Sequence, residues 1–590
     1  MKRKPLIILV LLSVIGIAGN LSAQHTSEDI RLNQIGFYPD APKLAVVVKD
    51  VNGKFFVTTP DLTDTVYTGE LKGPYKSDYS DRITQIADFS DFKKQGTYVI
   101  SIPNIGYSYQ FDIKPGLLEN VAKGSLKSFY FQRASTPLQY EYAGIWARPA
   151  GHPDNHVIIH GSAASEDRPE GTIISCPRGW YDAGDYNLYI VNSGITMGIL
   201  LSLYEEFPAY FKNIRTNIPE SDNNIPDLLD EILWNLRWML TMQDPADGGV
   251  YFKLTDPGFG GMVMPVESIS DRYVVQKSTA SALDFVAVMA QAARILKNFE
   301  RELPGLSDSC LNAARYAWLW AEKNQKVIYD QRSINEKYDP DIRTGLYWDK
   351  DFDDEWIWAA SELYLSTKTD YFYKAVKMFP DDSISIPYWG QVKLLGYFTL
   401  LRNKDLSQPV AGNDLQKMKK LIVDFADSLT AGISKQYYHT VIGQSSKDFT
   451  WGSNDKAATQ GIVLIQAYKL TGNKKYVNCA LSNLDYLLGR NATGYSFVTG
   501  YGDKTPLNLH HRPSAGDGIR EPVPGILAGG PNAVKEDRME YPSDNPDECY
   551  LDNVKSYASN ENAINWNAAL TYLAFTIDAL QYEVGYTVKK

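Results

Sequence analysis

The sequence predicts two domains, a small all-β sandwich followed by a large all-α domain of layered helices. Between residues 31 and 113, short β-prone runs are separated by Gly, Pro, Asn and Asp at the spacing of a β-sandwich. The tripeptide Lys114-Pro115-Gly116 ends this pattern, and beyond it apolar residues recur with a helical period. With 590 residues, of which 44% are hydrophobic, the chain has enough apolar side chains for both cores.

An export signal precedes the first domain. Basic residues 2–4 are followed by an apolar run over residues 6–18, and the chain turns polar after Ala23. This pattern predicts a secretory signal peptide over residues 1–23. The run is too short for a membrane span, and no other stretch is apolar enough to cross a bilayer. We therefore expect an exported protein, periplasmic or extracellular, without a membrane span.

The predicted strands lie within residues 28–114, which we assign to the sandwich. They are the runs KLAVVVKD, FFVTTP, RITQIADF, GTYVISIP and YSYQFDI, which begin at Lys43, Phe55, Arg82, Gly96 and Tyr107. Residues 115–590 are assigned to the helical domain.

In the helical domain, residues 225–243 show the pattern clearly, since Leu229, Ile232 and Leu236 recur on one side. Further helices are predicted over residues 281–296, 354–367, 389–401, 418–429, 457–470, 476–488 and 566–582. About ten to twelve helices with long Gly, Pro and aromatic loops between them favour a layered α/α toroid over a simple bundle.

Composition narrows the class of partner. The net charge of -11 and the pI near 5.3 argue against a nucleic acid or an anionic membrane as partner, because both require basic patches. Aromatic residues make up 12% of the chain, with 39 Tyr and 12 Trp. Beyond the needs of a core, such an excess is typical of sugar-binding clefts. We expect a monomer.

Four cysteines, at positions 176, 310, 479 and 549, lie far apart in the sequence. In an exported chain they allow two disulfides with three connectivities. A chain of this size does not need such cross-links, so free buried thiols are favoured.

Two carboxylates stand close together in the segment GWYDAGDYN, which begins at Gly179. Asp182 and Asp185 are three residues apart, with Trp180 and Tyr186 beside them. This setting suits carboxylates that work next to a sugar ring stacked on aromatic side chains, so we predict that Trp180 and Tyr186 contact the substrate. A D-x-x-D pair alone is also found as a helix cap or a magnesium site.

A further acid, Glu561, stands almost 380 residues later in YASNENAINWN. Hydrolysis of a glycosidic bond requires one carboxyl to protonate the leaving oxygen and a second carboxylate to activate water. The two segments supply both groups. Taken alone, Glu561 also fits the first turn of the helix predicted after it, where the helix dipole favours a negative charge.

Four separate blocks resemble the signature sequences of glycoside hydrolase family 9. They are GWYDAGDYN, HHRPSAGD from His510, GGPN from Gly529 and YASNENAINWNAAL from Tyr557. The run RLNQIGFYPDAPKLAVV, from Arg31, resembles the amino-terminal immunoglobulin-like module that many members carry. The resemblance implies a multidomain protein, with an immunoglobulin-like sandwich followed by an (α/α)6 barrel with endoglucanase activity.

The resemblance also implies roles for single residues. Asp185 matches the general base that activates water, Asp182 a residue that helps to hold this water, and Glu561 the general acid. The implied substrate contacts are His510, Arg512 and Tyr557. For His510, a structural hydrogen bond to a loop is the alternative.

We therefore expect an inverting endo-β-1,4-glucanase that acts on a β-glucan polysaccharide or oligosaccharide and needs no cofactor for its chemistry. The alternatives are a xyloglucan or mixed-linkage glucan hydrolase, and an exo-acting β-glucosidase or β-glucosaminidase on the same scaffold. A glycan-binding protein without activity is the alternative from another class.

Zinc is not expected. Many family members with the module hold a structural zinc, but the matching positions here are Ala134, Gly151, His152 and Tyr181, which leave one ligand. The spacing of His152, His156 and His160 would align three ligands on a helix, but Pro153 and a β-branched run oppose a helix there.

Calcium is predicted at an acidic loop. Family members often bind calcium near Asp354 and Glu355, and Asp351 and Asp353 add oxygen ligands of the type that calcium prefers. The alternative is a solvated acidic turn that caps a helix.

Overall fold

The computed structural model describes residues 25–588. The predicted signal peptide, residues 1–23, lies outside the described residues. The described chain begins with a β-sandwich and continues as a helical domain, so the predicted order of an all-β and an all-α domain is confirmed.

Nine strands of the described chain form the sandwich. They are β1 (Ile30–Arg31), β2 (Gly36–Phe37), β3 (Leu44–Val47), β4 (Lys54–Thr58), β5 (Thr65–Lys76), β6 (Ile83–Asp88), β7 (Gly96–Ile102), β8 (Gly106–Tyr107) and β9 (Phe111–Ile113). In space they run in the order β1, β3, β6, β5, β4, β7, β9 and β2, and β8 pairs with β7. The sheet encloses an apolar core that includes Phe55, Val57, Ile100 and Phe111.

The longest strand, β5, is not among the predicted runs. It contains Gly69, Gly73 and Pro74, which are residue types that predict a turn and not a strand. The strand accommodates them because its pairing with β6 is irregular between Lys72 and Tyr75. Since β5 pairs with both β4 and β6, it joins the two halves of the sandwich.

The helical domain contains seventeen α-helices in the described chain. They are α1 (Glu119–Phe131), α2 (Tyr140–Ala143), α3 (Ile190–Glu206), α4 (Pro208–Phe211), α5 (Asp227–Thr241), α6 (Thr279–Leu296), α7 (Leu306–Lys323), α8 (Gln331–Asn335), α9 (Asp353–Thr367), α10 (Asp370–Lys374), α11 (Lys393–Arg402), α12 (Lys404–Thr430), α13 (Ser453–Thr471), α14 (Lys474–Leu487), α15 (Arg512–Gly516), α16 (Tyr557–Asn560) and α17 (Ile564–Leu580).

Twelve of these helices form two concentric rings. The inner ring consists of α3, α6, α9, α11, α13 and α17, with α12 packed on both α11 and α13, and it closes where α17 packs on α3. The outer helices α1, α5, α7, α10, α12 and α14 pack on α17, α3, α6, α9, α11 and α13. This arrangement confirms the predicted (α/α)6 barrel.

Paired charges close one end of the barrel, where inner helices end. Arg294 on α6 bonds Glu205 on α3 at 2.8 Å and Glu362 on α9 at 2.7 Å. Arg402 on α11 bonds Glu205 at 2.7 Å and Glu206 at 2.9 Å. These groups are nearly buried, and each charge has partners of the opposite sign, which such a position requires.

A five-stranded sheet lies at the other end of the helical domain. Its strands are β10 (Val157–Ile159), β11 (Ile173–Ile174), β12 (Leu188–Tyr189), β13 (Lys253–Thr255) and β14 (Arg272–Val274), in the order β11, β10, β14, β13, β12. Strand β12 follows the segment with Asp182 and Asp185 and leads directly into α3. The sheet therefore fixes the position of this segment against the inner ring.

The sandwich and the barrel share an apolar interface. Val46, Val48 and Ile86 of the sandwich pack with Tyr437 and Tyr438 of the barrel. The loop that follows α12 thereby connects the two domains.

Two sequence features are placed by the fold. Within the described residues, the segment Thr279–Phe299 has the length and hydropathy of a membrane span, but 94% of its most apolar stretch is buried inside the protein, as in a core helix.

The cysteines at positions 176, 310, 479 and 549 are buried free thiols.

Candidate active site

Backbone pairing brings the two acidic segments together. Ala183 and Ala563 form an antiparallel bridge, and the N–H of Ile564 donates to the carbonyl of Asp182 at 2.8 Å. Asp182, Asp185 and Glu561 therefore belong to one site, although almost 380 residues separate the aspartates from the glutamate.

The HHR block forms the third part of this site. His510 forms a parallel bridge with Glu561, and its N–H donates to the carbonyl of Asn560 at 2.9 Å. A Cβ at Gly184 would lie 2.1 Å from the carbonyl oxygen of His510. The close approach of the His510 backbone therefore requires glycine at position 184.

Asp185 is buried and held as a hydrogen-bond acceptor. Its Oδ2 accepts hydrogen bonds from the side-chain amide of Asn187 and from the hydroxyl of Tyr189, the latter at 3.3 Å. Asn187 is held in turn, because its Oδ1 accepts from the Thr255 hydroxyl at 2.9 Å. These hydrogen bonds fix the orientation of the Asp185 carboxyl group, as a group that acts on a neighbouring water requires.

Asp182 lies beside Asp185 in a different setting. It accepts hydrogen bonds from Asn192 at 2.8 Å and from the hydroxyl of Tyr347. Burial, followed by the negative charge of Asp185, raises the pKa of Asp182 to about 8. The hydrogen bonds from Tyr347 and Asn192 oppose this shift.

Glu561 retains some solvent contact but is closely surrounded by protein. Burial, followed by the charge of Asp185, raises its pKa well above the usual value, while Arg512 opposes the shift. The alternative of a first-turn helix residue is wrong, because α17 begins at Ile564 and Glu561 has extended backbone angles. The raised pKa favours the protonated form of Glu561, which is the form that a general acid needs.

Lys253 on β13 is a buried cation that the sequence pattern does not reveal. Its ammonium donates to Gln331 at 2.8 Å, to Thr344 at 2.9 Å and to the carbonyl of Gly345 at 2.8 Å. Burial lowers the pKa of Lys253 to about 7, and the charge of Asp185 opposes this effect. The N–H of Gly345 donates to the Tyr189 hydroxyl at 3.0 Å. Because Lys253 bonds Gly345, it also helps to position Tyr189, which donates to Asp185.

The predicted substrate contacts His510, Arg512 and Tyr557 lie around the acid. Arg512 donates to the carbonyl of Gly184 at 2.7 Å and to that of Gly260 at 3.1 Å, so it braces the aspartate segment. His510 is bonded to the carbonyl of Val554 at 2.6 Å, which matches the structural alternative for this residue. Sugar contacts by these residues stay predictions.

Trp180 and Tyr186 are not placed for substrate stacking, and this prediction is wrong. Trp180 is fully buried, with its indole N–H donating to Glu231 at 2.9 Å. Tyr186 is 2% exposed, and its hydroxyl donates to the carbonyl of Val263 at 2.5 Å. Both rings are neighbours of the aspartates in sequence, but their side chains are buried in the core and do not reach the cleft.

Other aromatic rings lead away from the carboxylates. From Asp182, the ring of Tyr347 lies 5.5 Å from Trp389, which lies 5.7 Å from the exposed Tyr388. Near the acid, the exposed Trp451 lies 5.4 Å from Tyr557. Apart from Tyr557, these residues are far from both acidic blocks in sequence, so no local pattern identifies them.

The residues at the zinc positions do not fit a metal. The ring Nδ1 of His152 is bonded to the hydroxyl of Tyr181 at 2.8 Å, and the ring lies 5.1 Å from Tyr186. Ala134 and Gly151 supply no ligand atom from a side chain. His152, the one ligand that the resemblance leaves, is therefore engaged in hydrogen bonding and aromatic packing.

The predicted calcium ligands differ in setting. Asp351 is exposed and accepts a hydrogen bond from the N–H of Asp353 at 3.3 Å, at the start of α9. The alternative of a solvated acidic turn therefore describes Asp351, although the N-cap residue of α9 is Phe352 and makes no side-chain cap hydrogen bond. Asp354 and Glu355 are buried, but across the described chain no group of three or more His, Cys, Asp or Glu side chains is arranged to hold a metal ion.

The surroundings of Glu355 nevertheless have the chemistry of a cation site. Both oxygens of Glu355 and both oxygens of Asp284 are buried without a hydrogen-bond partner. Burial, followed by the charges of Asp354 and Asp284, raises the pKa of Glu355 well above its usual value. A hard cation would compensate these charges, so calcium at this place stays a prediction.

Comparison with family models gives two matches. The model of glycosyl hydrolase family 9 matches residues 119–574, and the model of the cellulase N-terminal ig-like domain matches residues 25–107. Together they cover both domains.

The chain is also similar to characterised enzymes and to solved structures. A xyloglucan-specific endo-β-1,4-glucanase of Bacteroides ovatus is 48% identical over 94% of each chain. Endoglucanase D of Acetivibrio thermocellus is 33% identical over 92% of this chain and 82% of its own. A solved structure described as Bacteroides ovatus GH9 superimposes with a TM-score of 0.89 at 46% identity, over 94% of this chain and 99% of that one.

Proposed function

The chain belongs to glycosyl hydrolase family 9, and we propose that it is an exported, inverting endo-β-1,4-glucanase with xyloglucan as its substrate. Membership makes it a glycoside hydrolase of the endoglucanase type with an immunoglobulin-like module. The chemistry of this family needs no cofactor.

The difference between Asp185 and Glu561 carries the proposal. The Asp185 carboxyl group is held by two donors, whereas burial and the charge of Asp185 raise the pKa of Glu561 well above its usual value. A carboxyl group held by two donors and another with a raised pKa, on paired segments, match the base and the acid of glycoside hydrolysis.

In the proposed reaction, Asp185 takes a proton from a water molecule as the water oxygen attacks the anomeric carbon. Glu561 gives its proton to the departing glycosidic oxygen as the carbon–oxygen bond breaks. Asp182 orients the water. Asp185 then loses its new proton and Glu561 regains one from solvent, which restores the starting state.

Xyloglucan is supported as the substrate by the Bacteroides ovatus relative, which is specific for this polymer and 48% identical to this chain. The aromatic rings that lead away from Asp182 and from Glu561 also suit a glucan bound on both sides of the cleaved bond. Binding on both sides permits cleavage within a chain.

The proposal places the enzyme in the periplasm or outside the cell and treats it as a monomer. The basic and apolar residues before Ala23 support export.

A panel of polysaccharides tests the proposed function. Purified enzyme is incubated with xyloglucan, carboxymethylcellulose, barley β-glucan and chitosan, and both reducing ends and product sizes are measured. We expect the fastest release from xyloglucan, with oligosaccharide products at early times. Release of monosaccharides from chain ends would indicate exo action, and no release from any polymer would indicate a binding protein.

A further inference from the structure

A second cavity lies on the outer wall of the barrel. Its volume is about 420 Å³, and it is lined by residues of α5, by the segment before α5 and by the turn before α7. None of the proposed catalytic residues lines it. The size falls within the range of about 300–1,000 Å³ that is usual for small-ligand sites.

Two buried polar atoms in the lining lack partners. Asp230 is 6% exposed; its Oδ1 accepts from Asn223 at 3.1 Å, but its Oδ2 has no hydrogen-bond partner. The indole N–H of Trp234 is buried and also lacks one. Buried polar groups nearly always have a partner, so these two atoms are exceptions among the residues that line the cavity.

Two guanidinium groups also line the cavity. In the described chain neither Arg178 nor Arg237 forms a salt bridge. The Arg178 guanidinium lies 5.0 Å from the centre of the Trp234 ring. Burial, and then the charges of Arg237 and Arg133, lower the pKa of Arg178.

The other charges of the lining are compensated. Glu220 is bonded to Arg133, which Glu231 shares, and Glu302 is bonded to Arg301 at 2.7 Å. The cavity therefore offers donors and acceptors together without the large excess of one charge that would select an ion. Planar side chains of this kind suit the neighbouring hydroxyl groups of a sugar, which donate and accept at the same time.

We propose that this cavity is a second carbohydrate-binding site, which holds a sugar residue of a β-glucan outside the catalytic cleft. Sugar hydroxyls donate to Asp230 and accept from the two arginines, while Leu233 and Leu303 contact the carbon face. The inference rests on the proposed function, because such a site would keep the enzyme on the polymer that it cleaves.

Titration calorimetry with a xyloglucan heptasaccharide tests the proposal. The protein carries Glu561→Gln so that the ligand is not cleaved, and Arg237→Ala removes one donor of the cavity. Arg315→Ala is the matched control, because Arg315 is an exposed arginine of α7 that does not line the cavity. Melting temperatures verify that each variant is folded.

We expect two binding sites per chain in Glu561→Gln and in the control, with one of them lost or weakened at least tenfold by Arg237→Ala. Asp230→Asn, which keeps the shape of the side chain, should weaken the same site. A single site in every variant, at ligand concentrations on the order of 10 mM, would overturn the proposal.

Hydrolysis of xyloglucan by the unmodified enzyme is measured in parallel. Activity together with a single binding site would refute only the second site. Two binding sites without activity would refute only the proposed function.

Discussion

The hydroxyl of Tyr347 donates a hydrogen bond to the carboxylate of Asp182. This contact connects the loop before α9 with the segment that carries both aspartates, across 165 residues of sequence. Lys253 holds the same loop through Thr344 and Gly345. The position of Asp182 therefore depends on residues that lie far from it in the chain.

Tyr347→Phe should lower kcat by about 10- to 100-fold. Loss of the Tyr347 hydroxyl leaves Oδ2 of Asp182 buried without a donor, which costs about 1–3 kcal/mol, and only the donor Asn192 remains. Because this donor lowers the pKa of Asp182, its removal should also move the acidic limb of the pH profile to higher pH. Tyr397→Phe is the control, since Tyr397 is a buried tyrosine bonded to the carbonyl of Met378, outside the site. An unchanged kcat in Tyr347→Phe would remove Asp182 from the mechanism.

Asp185→Asn and Glu561→Gln should each lower kcat by about 10²- to 10⁴-fold while the melting temperature stays close to that of the unmodified protein. Each substitution preserves shape and removes one half of the acid–base step. Steady-state rates on xyloglucan, with circular dichroism as a folding control, check this expectation. If Asp185→Asn kept more than about a tenth of the rate, another residue would have to be the base.

Lys253→Met should lower kcat and shift the acidic limb of its pH profile to higher pH, because the ionised base loses a buried positive charge. Three acceptors also lose their donor, so stability should fall. Lys43→Met separates these effects: Lys43 is equally buried, bonds the carbonyls of Pro39 and Ala41, and lies in the sandwich. A fall in melting temperature without a change in the pH profile would assign Lys253 a purely structural role.

Much of the fold is predictable from the sequence, and the exceptions have physical reasons. The amphipathic outer helix α5 has one apolar side, which a helical period reveals. The inner helix α3 is buried from Ile190 to Tyr204, so it has no polar side to set a period, and it is not among the predicted helices. Strand β5 is hidden by its glycines and proline.

The site likewise contains residues that the sequence predicts and residues that it does not. Asp182, Asp185 and Glu561 stand in recognisable blocks, and the fold brings them together through backbone pairing. Trp180 shows the limit of such patterns, because a neighbour of a catalytic candidate in an extended segment can point into the core. Lys253 and Tyr347 act through tertiary contacts, which leave no signal in the local sequence.

Calcium should raise the melting temperature of the enzyme and change kcat little, because the acids around Glu355 lie outside the reacting carboxyls. Glu355→Gln should abolish this stabilisation, while Asp351→Asn should retain it, since Asp351 is exposed and only accepts a hydrogen bond from the N–H of Asp353. Differential scanning calorimetry with calcium and with a chelator measures both effects. Equal melting temperatures in the two buffers would refute the predicted calcium site, and loss of the effect in Asp351→Asn would restore Asp351 as a ligand.

The stereochemistry of the product tests the central claim most directly. If Asp185 activates a water molecule, the two carboxyls must leave room for that water, roughly 6.5–9.5 Å apart, and attack comes from the face opposite the leaving group. A β-linkage then gives an α-configured product. Proton NMR during the first minutes of xyloglucan hydrolysis should show the α-anomer before mutarotation produces the β-anomer. Initial appearance of the β-anomer would contradict the account, because it requires a covalent intermediate and leaves Asp185 without its role as the base.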